Sequence, residues 1–196
     1  MNTIIFDFDD TLINTANHCI SCYNRITSDT ISVNDFICEF TWDNLFTYKT
    51  LWRELIAAVV NDPTAIPPIK GSIEFLNGMF SSENEIFILS KRYGKSIIKN
   101  YLKENGIKQT FLDKIRYILV SENEEKSKFI KQIKYTTLLD KIFYFEDRAD
   151  VVEMCIDDCY QIFVYNRPWN LRLRNLKSSN KIIFYSDFNE IKERCK

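Results

Sequence analysis

Three carboxylates fall within four residues of one another in Phe6-Asp7-Phe8-Asp9-Asp10-Thr11-Leu12. One residue separates Asp7 from Asp9, so in an extended strand the two side chains point the same way. Carboxylates that close repel unless a cation or a shared proton stands between them. A hard cation that prefers oxygen, Mg²⁺, is the natural partner. The plainer alternative is an acidic strand-to-loop turn in which Asp caps a helix. That alternative does not explain an aromatic residue between two acids and a threonine two residues on.

Such a cluster needs a scaffold that brings it to a cleft. Short runs rich in Ile, Phe, Tyr and Val occur at Thr3–Phe6, Glu85–Leu89, Ile115–Val120, Lys141–Phe145, Gln161–Tyr165 and Lys181–Tyr185. Most are nearly continuous rather than alternating, which suits strands of a parallel sheet covered on both faces. Between them lie apolar residues at helical spacing: Ile73/Leu76/Phe80, Ile97/Tyr101, Ile98/Leu102, Phe129/Ile130/Ile133 and Val152/Cys155/Ile156. Strands alternating with amphipathic helices predict a doubly wound α/β sandwich. In such sheets ligands bind at the carboxyl ends of strands, which is where the acids stand.

One segment breaks the alternation. The stretch between the first and second strands is much longer than a crossover needs. Asn14 to Asn61 reads as largely helical, with Leu51/Leu55/Val59 and Trp52/Ile56/Val60 forming two adjacent rows, and Asp62-Pro63 and Pro67-Pro68 punctuate the return. The expected division is an α/β core of residues 1–13 and 69–196 with a helical cap at 14–68.

Composition narrows the function. The chain has 196 residues, 45% of them hydrophobic, with 26 Lys plus Arg against 27 Asp plus Glu, a net charge of −1. That is enough for a proper core and gives no broad basic face for nucleic acid or anionic lipid. Met1 leads into an apolar run and then acids, unlike a secretory leader. The expectation is a cytoplasmic protein whose cysteines are reduced thiols. Cys19-x-x-Cys22, with His18 alongside, falls short of the two tight hooks of a structural zinc site. Thiols packed in helices are the preferred reading.

Asp7-x-Asp9-x-Thr11 at the end of a first strand resembles the opening motif of the haloacid dehalogenase superfamily. The resemblance implies three further motifs, and the chain offers a candidate for each in order. Ser90 closes Ile86-Phe87-Ile88-Leu89-Ser90-Lys91-Arg92, and Lys126 follows the capping-box pattern Ser121-Glu122-Asn123-Glu124, with Lys128 as its competitor. Glu146, Asp147 and Asp150 follow the strand ending at Phe145. The implied fold is a three-layer Rossmann-like sandwich with a mostly parallel sheet and a small helical cap of the family's first type inserted after strand one.

The implied chemistry is phosphoryl transfer. Asp7 attacks phosphorus and forms an aspartyl-phosphate. Asp9 protonates the leaving oxygen and then activates water; dehalogenases lack this second acid, because halide needs no proton. The implied metal site joins Asp7, the Asp9 carbonyl and Asp147 around Mg²⁺, with Glu146 and Asp150 tuning its surroundings. Ser90 and Lys126 bind the phosphoryl group, and backbone N–H groups after Asp7 assist. Thr11 braces the loop. Arg92 is grouped with the phosphate-binding residues, although Arg92 and Arg148 are equally readable as solvated surface arginines.

The whole chain resembles the cytosolic-type 5′(3′)-deoxyribonucleotidase group. It shares the small cap, Pro67-Pro68-Ile69-Lys70-Gly71, Glu146-Asp147-Arg148 and Tyr165-Asn166-Arg167-Pro168-Trp169-Asn170. It departs from that group at Glu146, where many members have Asp, and at Ser90-Lys91-Arg92. The implied partner is a small phosphorylated substrate, a nucleoside monophosphate, met by cap aromatics among Phe40, Trp42, Phe46 and Trp52. No membrane and no extended nucleic-acid surface are expected, and a homodimer is left open. Alternatives are a 3′-phosphatase on nucleic-acid ends, served by a local patch of Arg167, Arg172, Arg174 and Lys177, a sugar-phosphate phosphatase, and a non-catalytic binding module.

Overall fold

The computed structural model describes residues 2–36, 45–80, 84–92, 94–121, 123–137, 141–176 and 179–194. Six strands form one sheet: β1 (Asn2–Phe6), β2 (Glu85–Ser90), β3 (Arg116–Leu119), β4 (Lys141–Glu146), β5 (Gln161–Tyr165) and β6 (Ile182–Tyr185). Their order is β3-β2-β1-β4-β5-β6, and every neighbouring pair is parallel. Among the described residues seven α-helices accompany them: α1 (Thr15–Thr27), α2 (Lys49–Asn61), α3 (Ser72–Met79), α4 (Lys95–Glu104), α5 (Gln109–Leu112), α6 (Lys126–Thr136) and α7 (Ala149–Cys155).

The two-residue period of the strands sorts their side chains onto two faces. Ile4, Phe6, Ile86, Ile88, Phe143 and Phe145 pack with residues of α1 to α5. Ile5, Phe87, Leu89, Ile142 and Tyr144 pack on the other face with α6 and α7. Covering on both faces explains why the strands read as continuous apolar runs. The fold is the expected α/β sandwich with a helical insertion after the first strand.

The insertion leaves and rejoins the core at one place. Ile69 N–H donates to the Leu12 carbonyl at 2.9 Å, Asn14 N–H to Pro67 O at 3.0 Å, and the Ser72 hydroxyl to Leu12 O at 2.8 Å. The return runs through Gly71, whose φ of +78° lies in the left-handed region; an added Cβ there would also stand 3.3 Å from that of Phe188.

Inside the insertion, α1 and α2 pack through aromatic residues. Phe46 stacks on Trp52 with centroids 3.8 Å apart and planes 12° from parallel, and Tyr23 and Phe36 meet both edge-on or tilted. The Tyr23 hydroxyl accepts from Tyr48 N–H at 2.9 Å. Ser28 adopts a left-handed conformation and ends α1. A short 3₁₀ turn at Val33–Asp35 follows, with the Ser32 side chain as its cap.

Candidate active site

The strand order reverses direction of travel between β1 and β4, the crevice where open α/β sheets hold ligands. Pairing of Phe6 with Phe145 sets the register there. Asp7 N–H then donates to Phe145 O at 2.9 Å, which brings Asp7 beside Glu146 and Asp147. Carboxylate oxygens of these three residues lie within 4.8 Å of one another, and all three side chains are buried. On the other side of β1, Ser90 ends β2 and is buried. Its hydroxyl accepts from Arg92 N–H at 3.1 Å.

Lys126, at the first turn of α6, is buried among the acids. Its Nζ stands 2.6 Å from Asp7 Oδ1 and 2.8 Å from Glu146 Oε2. Lys128 is exposed, and of the two lysines it is Lys126 that reaches the buried acids. The capping-box residues close a turn earlier than expected. Ser121 pairs with the Glu124 carboxylate, and α6 begins only after Glu125.

Glu146 has no oxygen to spare. Oε2 accepts from Lys126 and from the Tyr144 hydroxyl, and Oε1 accepts from the backbone N–H groups of Asp147 and Arg148. Burial works against its charge, but Lys126 and these donors together hold its pKa below the usual value. Asp7 shares the same lysine and has fewer donors. Burial, reinforced by Glu146 and Asp9, pushes it up to about 7 despite Lys126. Asp147 is raised well above the ordinary range by burial and by the charges of Glu146, Asp10 and Asp7.

Trp169 and Asn170 hold Asp147 from a 3₁₀ segment, Pro168–Asn175, after β5. The indole N–H donates to Asp147 Oδ2 at 2.9 Å, and the Asn170 amide donates to the Asp147 carbonyl at 2.8 Å. Arg167, just before this segment, reaches Asp10 Oδ1 at 3.0 Å and Asn14 Oδ1 at 2.8 Å. Asp10 is buried with φ of +53°, and both of its oxygens accept from Ala16 N–H. Burial pushes its pKa up to about 6 against the pull of Arg167.

Asp9 lines the same cleft as Asp7 and Asp10, and the three acids of this loop meet different cations, Lys126 at Asp7, Arg92 at Asp9 and Arg167 at Asp10. Arg92 grips Asp9 with Nε on Oδ2 at 2.9 Å and Nη2 on Oδ1 at 2.6 Å, and the Thr15 hydroxyl donates to the same Oδ1 at 2.5 Å. Arg92 is therefore neither a surface arginine nor directed at the cleft. The Thr11 side chain is buried, and its hydroxyl has no hydrogen-bond partner. Asp150 pairs with Arg148 at the rim rather than joining the buried acids.

A cleft of about 240 Å³ opens over these groups. Asp7, Asp9, Asp10, Ser90, Lys126 and Asp147 form its floor, while Thr15, Lys91 and Arg148 stand around it and Ile56 and Val60 of α2 supply an apolar wall. Phe46 and Trp52 do not line it. They are buried in their own stack, because α2 turns the Trp52 end of that row inward and leaves only Ile56 and Val60 facing the cleft. Phe40 and Trp42 lie outside the described residues.

Of the local basic patch that the 3′-phosphatase alternative would use, Arg167 is buried on Asp10, Arg172 pairs with Glu153, Arg174 donates to Asn166, and Lys177 lies outside the described residues. The cysteines of α1 and α7 are free thiols. Cys19 and Cys155 are buried and Cys22 half-buried, as helix packing predicts.

The donor set fits a hard divalent cation. Asp7, Asp9, Asp10, Glu146 and Asp147 oppose Lys126, Arg92 and Arg167. Five carboxylates against three cations leave two negative charges, and burial raises the pKa of three of the acids, Asp7, Asp10 and Asp147. One divalent ion on carboxylate oxygen would balance them.

No family model matches the chain. A Bacillus cereus protein named "Putative nucleotidase" is 23% identical over 178 residues, covering 86% of this chain and 88% of that protein. A haloacid dehalogenase-like family hydrolase from Streptococcus pneumoniae superposes with a TM-score of 0.65 at 14% identity, covering 100% of this chain and 99% of the other. A phospho-aspartyl intermediate analogue of phosphoserine phosphatase gives a TM-score of 0.55, also at 14% identity, with 100% and 99% covered.

Proposed function

We propose that the protein, which has the fold of haloacid dehalogenase-like hydrolases, is a Mg²⁺-dependent phosphomonoesterase that works through an aspartyl-phosphate on Asp7. A nucleoside 5′-monophosphate is its substrate. The observation that carries this reading is the buried group of Asp7, Lys126 and Asp147 at the β1–β4 crevice, with Asp9 on the same cleft. The nucleotide part rests on the resemblances in the sequence and on the name of the Bacillus cereus relative.

Asp7 and Asp147 offer the oxygens that would hold the cation, because every oxygen of Glu146 is already engaged. When bound, that cation neutralises charge on the phosphoryl oxygens and orients them. Lys126 balances Asp7, so the carboxylate can approach an anionic phosphate in a buried site. Asp7 Oδ forms a bond to phosphorus as the ester oxygen leaves, and Asp9 supplies that oxygen with a proton. Asp9 then takes a proton from water, which attacks the same phosphorus. The P–O bond to Asp7 breaks, phosphate departs and both acids are restored. Ser90, on the floor of the cleft, would donate to a phosphoryl oxygen.

The test is turnover by the purified full chain with Mg²⁺ on dUMP, dTMP, sugar phosphates, p-nitrophenyl phosphate and a 3′-phosphorylated oligonucleotide. Nucleoside monophosphates should be the best substrates, and Asp7→Asn should abolish turnover of all of them. Activity surviving in Asp7→Asn would remove Asp7 as nucleophile. Salt-sensitive turnover of the oligonucleotide alone would overturn the nucleotide assignment.

A further inference from the structure

Arg92 sits where three parts of the molecule meet. It follows Ser90 at the end of β2, is 2% exposed, and uses every donor group of its guanidinium. Nε and Nη2 grip the two oxygens of Asp9. Nη1 donates to the carbonyls of Val59 and Val60 at 2.7 and 2.6 Å. These belong to the last turn of α2, where carbonyls have no partner within the helix. The guanidinium carbon also lies 5.4 Å from the centre of the Phe8 ring.

This arrangement does two things at once. A bidentate grip fixes the plane of a carboxylate as well as its position, and with Thr15 on Oδ1 it leaves the Asp9 side chain 30% exposed toward the cleft. The same guanidinium caps α2, whose Ile56 and Val60 wall the cleft. A lysine could supply the charge but not both grips.

We propose that Arg92 is a positioning residue, not a phosphate ligand: it aims the Asp9 carboxylate at the leaving oxygen and pins the wall of the cleft to it. This inference rests on the phosphomonoesterase reading. It predicts a defect confined to substrates whose leaving oxygen needs a proton. An alkoxide leaves only as it is protonated, whereas 2,4-dinitrophenolate departs as a stable anion.

The experiment compares Arg92→Lys with wild type in kcat/KM, which covers the steps up to departure of the leaving group. One substrate is an alkyl phosphomonoester and the other is 2,4-dinitrophenyl phosphate, with inorganic phosphate as competitive inhibitor. The expected result is a loss of about 100-fold on the alkyl ester, the scale of general acid catalysis. The loss on the dinitrophenyl ester should be under about 3-fold, with inhibition by phosphate unchanged. Equal losses on both esters with weaker phosphate inhibition would make Arg92 a phosphate ligand and overturn the inference. Equal losses that track a lowered Tm would leave it a scaffold residue, and no loss on either ester would leave it idle; each overturns the inference too. Wild-type protein inert on both esters would overturn the phosphomonoesterase reading itself, which separates the two failures.

Discussion

The Trp169 indole N–H donates to Oδ2 of Asp147 at 2.9 Å, in a buried position 22 residues away along the chain. One oxygen of Asp147 is thereby fixed, in a residue whose carboxylate lies within 4.8 Å of those of Asp7 and Glu146. Trp169→Phe keeps most of the packing and deletes this donor. Groups that orient a metal-binding side chain typically matter 10–100-fold. We expect the Mg²⁺ concentration for half-maximal activity to rise by about 10-fold or more. An unchanged Mg²⁺ requirement would show that packing alone orients Asp147.

Lys126 is the cation shared by Asp7 and Glu146, so Lys126→Met leaves a buried acidic group without it. Removing one partner of a buried pair costs about 3–5 kcal/mol. In chelator the variant should unfold at clearly lower urea concentration than wild type, and Mg²⁺ should restore more stability to it than to wild type. Equal response to Mg²⁺ in the two proteins would separate the lysine from the cation site.

Cation binding should also be visible without catalysis. A ligand that binds only the folded state at about 100 times its Kd adds about 2.7 kcal/mol. For a chain of this size that is a Tm rise of roughly 5–10 °C. EDTA should reverse the rise, and Asp147→Asn should remove most of it. A Tm indifferent to Mg²⁺ would argue against the assigned cation.

The buried thiols set a limit at alkaline pH. Burial pushes Cys19 and Cys155 from 9.0 up to about 12. An acid whose native pKa lies above its unfolded value adds stability below the unfolded value and loses it as pH rises toward the native one. Stability should therefore fall above pH 9, by up to about 1.4 kcal/mol per pH unit for each thiol. Urea midpoints at pH 8, 9 and 10 would reveal the slope, and Cys19→Ala should flatten it. Native Cys19 and Cys155 should also resist alkylation at pH 9, as peptide mapping of labelled protein would show.

The Phe46–Trp52 stack should matter to stability and not to substrate. Trp52→Ala should cost about 3–5 kcal/mol, the usual loss for a buried aromatic. Trp52→Phe, which keeps an aromatic ring on Phe46, should retain the wild-type KM for a nucleoside monophosphate. A large rise in KM in Trp52→Phe would return this ring to the cleft.

Local pattern carried much of this. Gln161–Tyr165 is a strand within the limits its apolar run implies, and the acids after Phe6 and Phe145 do lie at strand ends, because alternation and turn chemistry act over a few residues. Partnerships across the chain were not legible. Arg167 and Asp10 are 157 positions apart, and nothing near either residue announces the other. Nothing beside Arg92 in the sequence announces its partners, which are Asp9, 83 positions away, and the carbonyls of Val59 and Val60. Trp52 and Ile56 share a helical row, but neighbouring aromatics decided which of them turned inward.

The adjacency of Leu12 and Ile69 has a consequence for how such a chain can change. The insertion begins and ends at two points already joined by backbone hydrogen bonds. Its length and sequence can therefore vary without moving β1 relative to β2. Ile13 and Pro68 are paired in a backbone bridge, so a link of about two residues between them would close the core without the insertion, since short closures cost little entropy. What cannot drift freely is the pair of carbonyls at Val59 and Val60. Any replacement cassette must present a helix end, or its equivalent, to Arg92, so the core admits new neighbours through a fixed socket.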